Sequence, residues 1–432
     1  MKKIYLAIAT ALGIVAPHFN SNAQCAGNRY HDYVFPSAPT VTSNIQYGSN
    51  LKFNGQNQNL LLDVYEPTGD TSTSRALVIM AHGGSFIGGS KTGSDVVNLC
   101  KDLARLGYVV ASIEYRVGMN NFPVPGPDSS DATEAVMRAV HDGRAAVRYF
   151  RKNADIGGNT YKIDVNNIYF AGVSAGGFIA LQVAYLDDIA EFPTYIDTVG
   201  QSGLGGAVEG LSGNPGYSSD VNAVVNICGA IGDTAWMQAG DEPVLNFHGT
   251  NDGTVPYGSA IITLAGLFPI MPVDGSFSVD AKADELGLIN CFEIYEGKDH
   301  VPHVGTTATA LAYYDTTLTI TRNFLEHFTC GVPLNCSYTT APAVGINEIA
   351  VNAEDVDLYP NPATNSFMID LVAFGNATVA IEMFDVLGKN VGSFNGVKTN
   401  KFNINRNDLP AGVYFVRITS GQTAITKKVI LE

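Results

Sequence analysis

The chain's clearest candidate for chemistry is Ser174, in Gly172-Val173-Ser174-Ala175-Gly176-Gly177. An apolar run at 168–171 precedes this stretch and another at 178–186 follows it. The first predicts a buried parallel strand and the second a helix. A strand that enters a helix through G-x-S-x-G turns tightly, with the serine at its tip and the hydroxyl exposed above the sheet. A Cβ at Gly172 or Gly176 would block the close crossing of strand and helix. The turn also sets Ser174 near the positive end of a helix. A Gly-rich turn without chemistry would look the same, so partners must be found elsewhere.

A serine nucleophile needs a base to take its proton and an acid to orient the base. Two later strand ends offer them. The run 244–247 ends in His248-Gly249-Thr250-Asn251-Asp252, and the run 291–295 ends in Glu296-Gly297-Lys298-Asp299-His300. Asp252 is the expected acid, although an Asx-turn role would also suit it. Asp233 is a rival after the preceding strand, whereas Asp241 precedes its strand and would sit at the wrong end of the sheet. Of the 8 histidines, His18 falls in the leader, His31 near the mature start, and His141 and His327 within helices. His82 and His248 begin loops and suit turn-stabilising roles. His300 and His303 remain, and His300, nearer the strand end, is the expected base.

The oxyanion of such a reaction needs preorganised donors. The N–H of Ala175 follows the nucleophile. The loop His82-Gly83-Gly84-Ser85-Phe86, after the apolar run 76–81, supplies Gly84 and Ser85 as further expected donors. The expected catalytic set is therefore Ser174, Asp252 and His300, with Gly84, Ser85 and Ala175 as the oxyanion hole. No metal or organic cofactor is called for.

These residues need a scaffold. Apolar runs at 60–65, 76–81, 108–113, 168–171, 223–228, 244–247 and 291–295 read as strands. Between them, 95–106, 131–153, 178–186 and 306–328 show helical spacing, with Asp131 as the cap of the second. Strands alternating with helices predict an α/β fold with a mostly parallel sheet covered on both faces. The carboxyl ends of its strands would line one crevice, where Ser174, Asp252 and His300 converge. The segment 28–54 is expected to give edge strands, and 117–130 a loop. The Gly- and Ser-rich segment 191–220 is a candidate flap over the site that would set acyl specificity, or a long surface connection.

The 432 residues suggest two domains. At 46% hydrophobic they can form a large core, and a net charge of −16 argues against nucleic-acid binding. Lys2 and Lys3, the apolar stretch 4–16 and Ser21-Asn22-Ala23 predict a secretory signal peptide over 1–23. Cys25 raises a lipoprotein alternative, which Asn22 and Gln24 fit poorly. No other run is long enough to cross a bilayer. Six cysteines in an exported chain suggest disulfides. Cys330–Cys336 is the favoured pair and Cys25–Cys100 a second, with Cys228 and Cys291 as buried thiols. From about 333 the composition shifts to an Ala-, Thr-, Pro- and Asn-rich linker, 333–353. Short alternating strands follow at 366–371, 379–384, 401–404 and 413–418, predicting a small all-β sandwich over 354–432.

The motifs quoted above, in the order Ser, Asp, His, make residues 28–328 resemble the α/β-hydrolase family, specifically its carboxylesterase/lipase members with an HGG-x oxyanion loop. Ser85 stands where such loops usually carry a third glycine, and Val173 where an acidic residue or histidine is common. Tyr115-Arg116 and Asp142 look like that family's scaffold pair. The C-terminal piece resembles a type A sorting domain of the type IX secretion system. It carries Leu358-Tyr359-Pro360-Asn361-Pro362-Ala363-Thr364-Asn365, Phe384-Asp385-Val386-Leu387-Gly388-Lys389, Leu409-Pro410-Ala411-Gly412-Val413-Tyr414 and a terminal Lys427-Lys428-Val429-Ile430-Leu431-Glu432. The resemblance implies a serine esterase working through an acyl-enzyme, secreted or attached to the cell surface. Its partners would be a small-molecule or polymer-derived ester and the type IX machinery, with no nucleic acid and no transmembrane segment in the mature chain. A prolyl-oligopeptidase-type peptidase and a non-catalytic surface binding protein are the alternatives.

Overall fold

The computed structural model describes residues 23–264, 266–338, 356–374, 378–386, 388–420 and 423–432. Residues 1–22 of the expected signal peptide and 339–353 of the expected linker lie outside the described residues. The chain divides into two compact units, Met1–Tyr338 and Thr339–Glu432.

The first unit opens with β1 (Thr40–Leu51), β2 (Asn57–Glu66) and β3 (Arg75–Ala81). There follow α1 (Val97–Leu106), β4 (Val109–Ile113), α2 (Ser129–Asp155), β5 (Ile163–Val173) and α3 (Ala175–Tyr185). The second half holds β6 (Ala223–Ile227), β7 (Ala230–Ile231), β8 (Val244–Gly249), β9 (Ser259–Leu264) and β10 (Phe268–Gly275). It closes with α4 (Ser276–Leu286), β11 (Asn290–Tyr295) and α5 (Ala308–Cys330). Eight strands form one sheet in the order β1-β2-β4-β3-β5-β6-β8-β11. β1 and β2 run antiparallel at one edge, and from β4 onward neighbouring strands are parallel.

Every residue of β3 is buried, because both faces of the sheet are covered. Leu77, Ile79 and Ala81 pack into the core beside α2 and α3. Ala76, Val78 and Met80 alternate onto the other face, beneath α1 and α5. The helix stops are local. α1 ends at Gly107, whose φ of 119° lets its N–H close onto Ala104 and Leu103.

α2 corrects one expectation. Its cap is Asp128, not Asp131. Asp128 accepts from the Asp131 N–H at 3.0 Å and Asp131 accepts from the Asp128 N–H at 3.2 Å. Two carboxylates three residues apart satisfy two otherwise unpaired donors, so the helix starts earlier.

The disulfide pairing is also corrected. Cys25 bonds Cys330 and Cys291 bonds Cys336, while Cys100 and Cys228 are buried thiols. The segment around Cys25 lies against the last turn of α5, where the Cys25 sulfur also meets the Thr329 carbonyl at 3.6 Å. The chain leaving α5 runs back toward the start of β11, so Cys336 is brought to Cys291 rather than to its sequence neighbour. Cα separations of 5.8 and 5.3 Å suit both bridges. Cys100, in α1, faces the sheet core.

The second unit holds β12 (Leu358–Tyr359), β13 (Ser366–Asp370), β14 (Val379–Asp385), β15 (Asn390–Val397), β16 (Lys401–Asn405), β17 (Gly412–Ser420) and β18 (Thr423–Leu431). They make two antiparallel sheets, β12-β13-β16 and β15-β14-β17-β18. Phe367 and Ile369 of the first share one core with Ile381, Val416 and Ile418 of the second. β12, β15 and β18 fall outside the strands expected from sequence. β15 carries glycines, asparagines and a serine and has a single buried residue, so it shows little apolar alternation.

Candidate functional site

The three strand-end residues meet. β5 runs into α3 through Ser174, whose φ of 55° and ψ of −117° mark a strained turn. The glycines permit it: a Cβ at Gly172 would stand 2.0 Å from the Gly176 carbonyl oxygen, and one at Gly176 would stand 2.0 Å from that of Ala81. Ser174 is only 7% exposed, so its hydroxyl sits beneath a recess rather than out above the sheet. His300, after β11, places Nε2 2.8 Å from Ser174 Oγ and Nδ1 2.7 Å from Asp252 Oδ2. His303 is buried and makes no hydrogen bond to Ser174 or Asp252; burial, then the neighbouring His300, lowers its pKa to about 4. Asp233 caps a short turn through the Ala235 N–H, and Asp241 accepts from the Gln238 N–H. Neither reaches His300.

Asp252 is held on both oxygens. Oδ1 accepts from the N–H groups of Thr254 and Val255, both at 2.8 Å. Oδ2 faces His300 and also His248 Nε2, at 3.2 Å. Nε2 of His248 stands 3.1 Å from the Val255 carbonyl, so one N–H is shared between two oxygen acceptors, the carboxylate off axis. His248 Nδ1 then accepts from the Ser276 hydroxyl at 2.7 Å, and Ser276 Oγ accepts from Asn226 Nδ2 at 3.0 Å. Burial alone would raise the Asp252 pKa, but the donors from His248, His300 and Val255 hold it well below the usual carboxylate range. Asp299 ties the two turns together, accepting from the N–H of Gly253 at 2.9 Å and of His300 at 2.7 Å.

The loop after β3 lies against the serine turn. A Cβ on Gly83 would come 3.2 Å from that of Ser174. Gly84 has φ 125° and Ser85 φ 54°. The N–H groups of Gly84, Ser85 and Ala175 donate to no acceptor among the described residues, as donors reserved for a ligand would. His82 braces the loop. Its ring stacks on Tyr115 at 4.3 Å, and the Tyr115 hydroxyl donates to the His82 carbonyl at 2.8 Å.

Sequence reasoning missed three parts of the site. His248, which by sequence suits a turn-stabilising role, touches Asp252. Ser276 carried no signal, because it reaches His248 only through the start of α4. The β9–β10 hairpin passed unnoticed, although it forms one wall of the recess at Ser174. The flap expectation for 191–220 is overturned, since no residue of that segment lines the recess. It is fastened to α2 instead: His141 Nε2 donates to the Ala207 carbonyl, Arg138 donates to the Ser202 carbonyl, and Ser212 donates to Asp142. Arg116 joins them, meeting the Asp142 carboxylate at 2.9 Å.

One cluster has ligand-like spacing. Cys228 Sγ, an Asp252 oxygen and a His300 nitrogen lie within 4.8 Å of one another. Burial pushes the Cys228 thiol up to about 12, so it is protonated at neutral pH and a poor metal ligand.

Residues 62–236 match the BD-FAE family model, and residues 357–432 match the secretion system C-terminal sorting domain. The chain thus carries a BD-FAE domain, an α/β-hydrolase of esterase type. Its sorting domain indicates type IX export to the cell surface or the exterior. Among solved structures, the apo form of Thermogutta terrifontis esterase 2 is 21% identical, with a TM-score of 0.47, covering 69% of this chain and 97% of that one. The same esterase phosphoramylated by tabun is 22% identical, with a TM-score of 0.46, covering 67% and 95%. A stretch of 93 residues is 36% identical to an endo-acting ulvan lyase of Formosa agariphila, covering 21% of this chain. The match spans 17% of that curated relative's length.

Proposed function

We propose that this chain, an esterase-type α/β-hydrolase joined to a sorting domain, is a secreted serine esterase that works through an acyl-enzyme. The observation that carries the reading is His300, within hydrogen-bond distance of both Ser174 Oγ and Asp252 Oδ2. The functional enzyme is residues 24–332, after removal of 1–23. A linker, 333–353, joins it to the sorting unit 354–432.

In the first half-reaction Ser174 Oγ bonds to the ester carbonyl carbon while its proton passes to His300 Nε2. The carbonyl oxygen takes up the negative charge against the N–H groups of Gly84, Ser85 and Ala175. Asp252 holds His300 with Nδ1–H toward the carboxylate and stabilises the imidazolium. The C–O bond to the alcohol breaks and His300 returns the proton to the leaving oxygen. Water then attacks the acyl-serine with His300 as base, releasing the acid and restoring Ser174. The strain at Ser174 fits a nucleophile held ready rather than a structural serine.

The test is hydrolysis of p-nitrophenyl acetate by the full chain and by Ser174→Ala. The expected loss in kcat/KM is on the order of 10³-fold or more. Unchanged activity in the variant would sink the reading.

A further inference from the structure

Beside Ser174 lies a half-open apolar recess. Its wall joins Phe86 of the loop after β3, Met119, Phe178 of α3, and Ile262, Ile270 and Met271 of the β9–β10 hairpin. The polar side chains that line it, besides Ser174, are the hydroxyl residues Ser85, Thr254 and Thr263, and among the described residues no charged side chain does so. A carboxylate or ammonium on the buried part of a substrate would therefore find no partner there.

The hairpin is shaped for this wall. β10 pairs with β9 through Pro269↔Thr263 and Met271↔Ile262, so Ile270 is an extra residue bulged out of register. In a regular strand Ile270 and Met271 would point to opposite faces. The bulge lets both be buried and both line the recess. The hairpin is also anchored away from the wall, because Phe268 packs onto Gly126, where a Cβ would stand 2.6 Å from the ring.

Size decides what enters. The recess holds about 50 Å³. A dry cavity of about 150 Å³ is what benzene fills. A third of that volume excludes an aromatic ring and leaves room for a chain on the order of two to four carbons.

We propose that the recess is the acyl site and that it takes short, uncharged aliphatic acyl groups, with the β9–β10 hairpin setting the length limit. The substrates are then acetyl- to butyryl-type esters whose larger alcohol part stays outside. Aryl and long-chain acyl esters are excluded. The proposal rests on Ser174 being the nucleophile, as argued above.

The test measures kcat/KM of the full chain on p-nitrophenyl acetate, butyrate, octanoate and benzoate, with Ser174→Ala, Met271→Ala and Ile262→Ala beside it. Far-UV circular dichroism confirms that each variant is folded. The expected result is a maximum at acetate or butyrate, with octanoate and benzoate lower by about tenfold or more. Met271→Ala and the less buried Ile262→Ala should each raise octanoate relative to acetate by about tenfold. Octanoate or benzoate equalling butyrate, with Ser174→Ala inactive, overturns the acyl assignment and leaves the esterase reading standing. An unaltered chain-length profile in both folded hairpin variants overturns the hairpin as its limit. Hydrolysis that survives Ser174→Ala, or no hydrolysis by the folded parent, takes down the esterase reading and this proposal together.

Discussion

His248 Nε2 stands 3.2 Å from Asp252 Oδ2, the oxygen that His300 Nδ1 also meets at 2.7 Å. One carboxylate oxygen thus lies between two imidazoles. Only one of them reaches Ser174. The other is locked from behind by Ser276 and Asn226, so its Nε2 proton stays directed at Asp252 and Val255.

Replacing His248 by Gln should therefore slow turnover while leaving ester binding intact. A hydrogen bond to a charged group is worth about 1.5–3 kcal/mol, so kcat should fall by about 10- to 100-fold. With one donor fewer, the Asp252 carboxylate is less neutralised and holds the His300 imidazolium more strongly, so the acidic limb of kcat/KM, which reports protonation of the base, moves to higher pH. A fall in kcat with an unmoved limb would reduce His248 to a purely structural role.

Acid should destabilise the catalytic unit through its buried histidines. Burial holds His303 at about 4 and His141 at about 3. In the unfolded chain each takes its proton near 6.5. Between those values the unfolded state binds more protons, so stability falls as pH falls. The loss by pH 5 is about 2 kcal/mol for each. Urea unfolding at pH 7 and pH 5 measures it. In His303→Leu the difference between the two pH values should shrink by about that amount, and an equal difference would refute the assignment.

Arg116 and Asp142 form a buried pair at 2.9 Å, with side chains 1% and 0% exposed. Arg116 also donates to the carbonyls of Leu51, Gly203 and Arg138, joining β1, α2 and the 191–220 segment. Asp142→Ala leaves the guanidinium buried without its counter-charge and should cost about 3–5 kcal/mol in stability. The fraction that remains folded should keep the parent's acyl-length preference, because neither residue touches the recess. A changed preference would link the pair to the site.

The Cys25–Cys330 bridge closes a loop across 305 residues. Cys25→Ser with Cys330→Ser should lower stability by about 2–5 kcal/mol, read as a drop in thermal midpoint under oxidising conditions. The Cys100→Ser variant should leave free-thiol titration lower by one and both bridges intact. Loss of a bridge in Cys100→Ser would contradict the pairing.

The sequence alone determined the layered α/β scaffold and the turns that carry Ser174, Asp252 and His300. The reason is local. Continuous apolar runs such as 76–81, too short for a buried helix, read as strands covered on both faces, and the glycines at 172 and 176 admit no side chain. Strand order in a parallel sheet then directs those turns to one edge. Tertiary structure decided what local pattern cannot encode. His248 meets Asp252 because α4 presents Ser276 behind it. Cys25 finds Cys330 because the segment around Cys25 lies on α5, a contact 305 residues apart in the chain. The hairpin walls the recess because of a bulge at Ile270, and the mixed burial of β9 and β10 hides that role from any periodic signal. The 191–220 segment, Gly-rich like a lid, is held on α2 by arginines that reach backbone carbonyls as well as the Glu209 carboxylate, and the carbonyl partners leave no side-chain pattern to read.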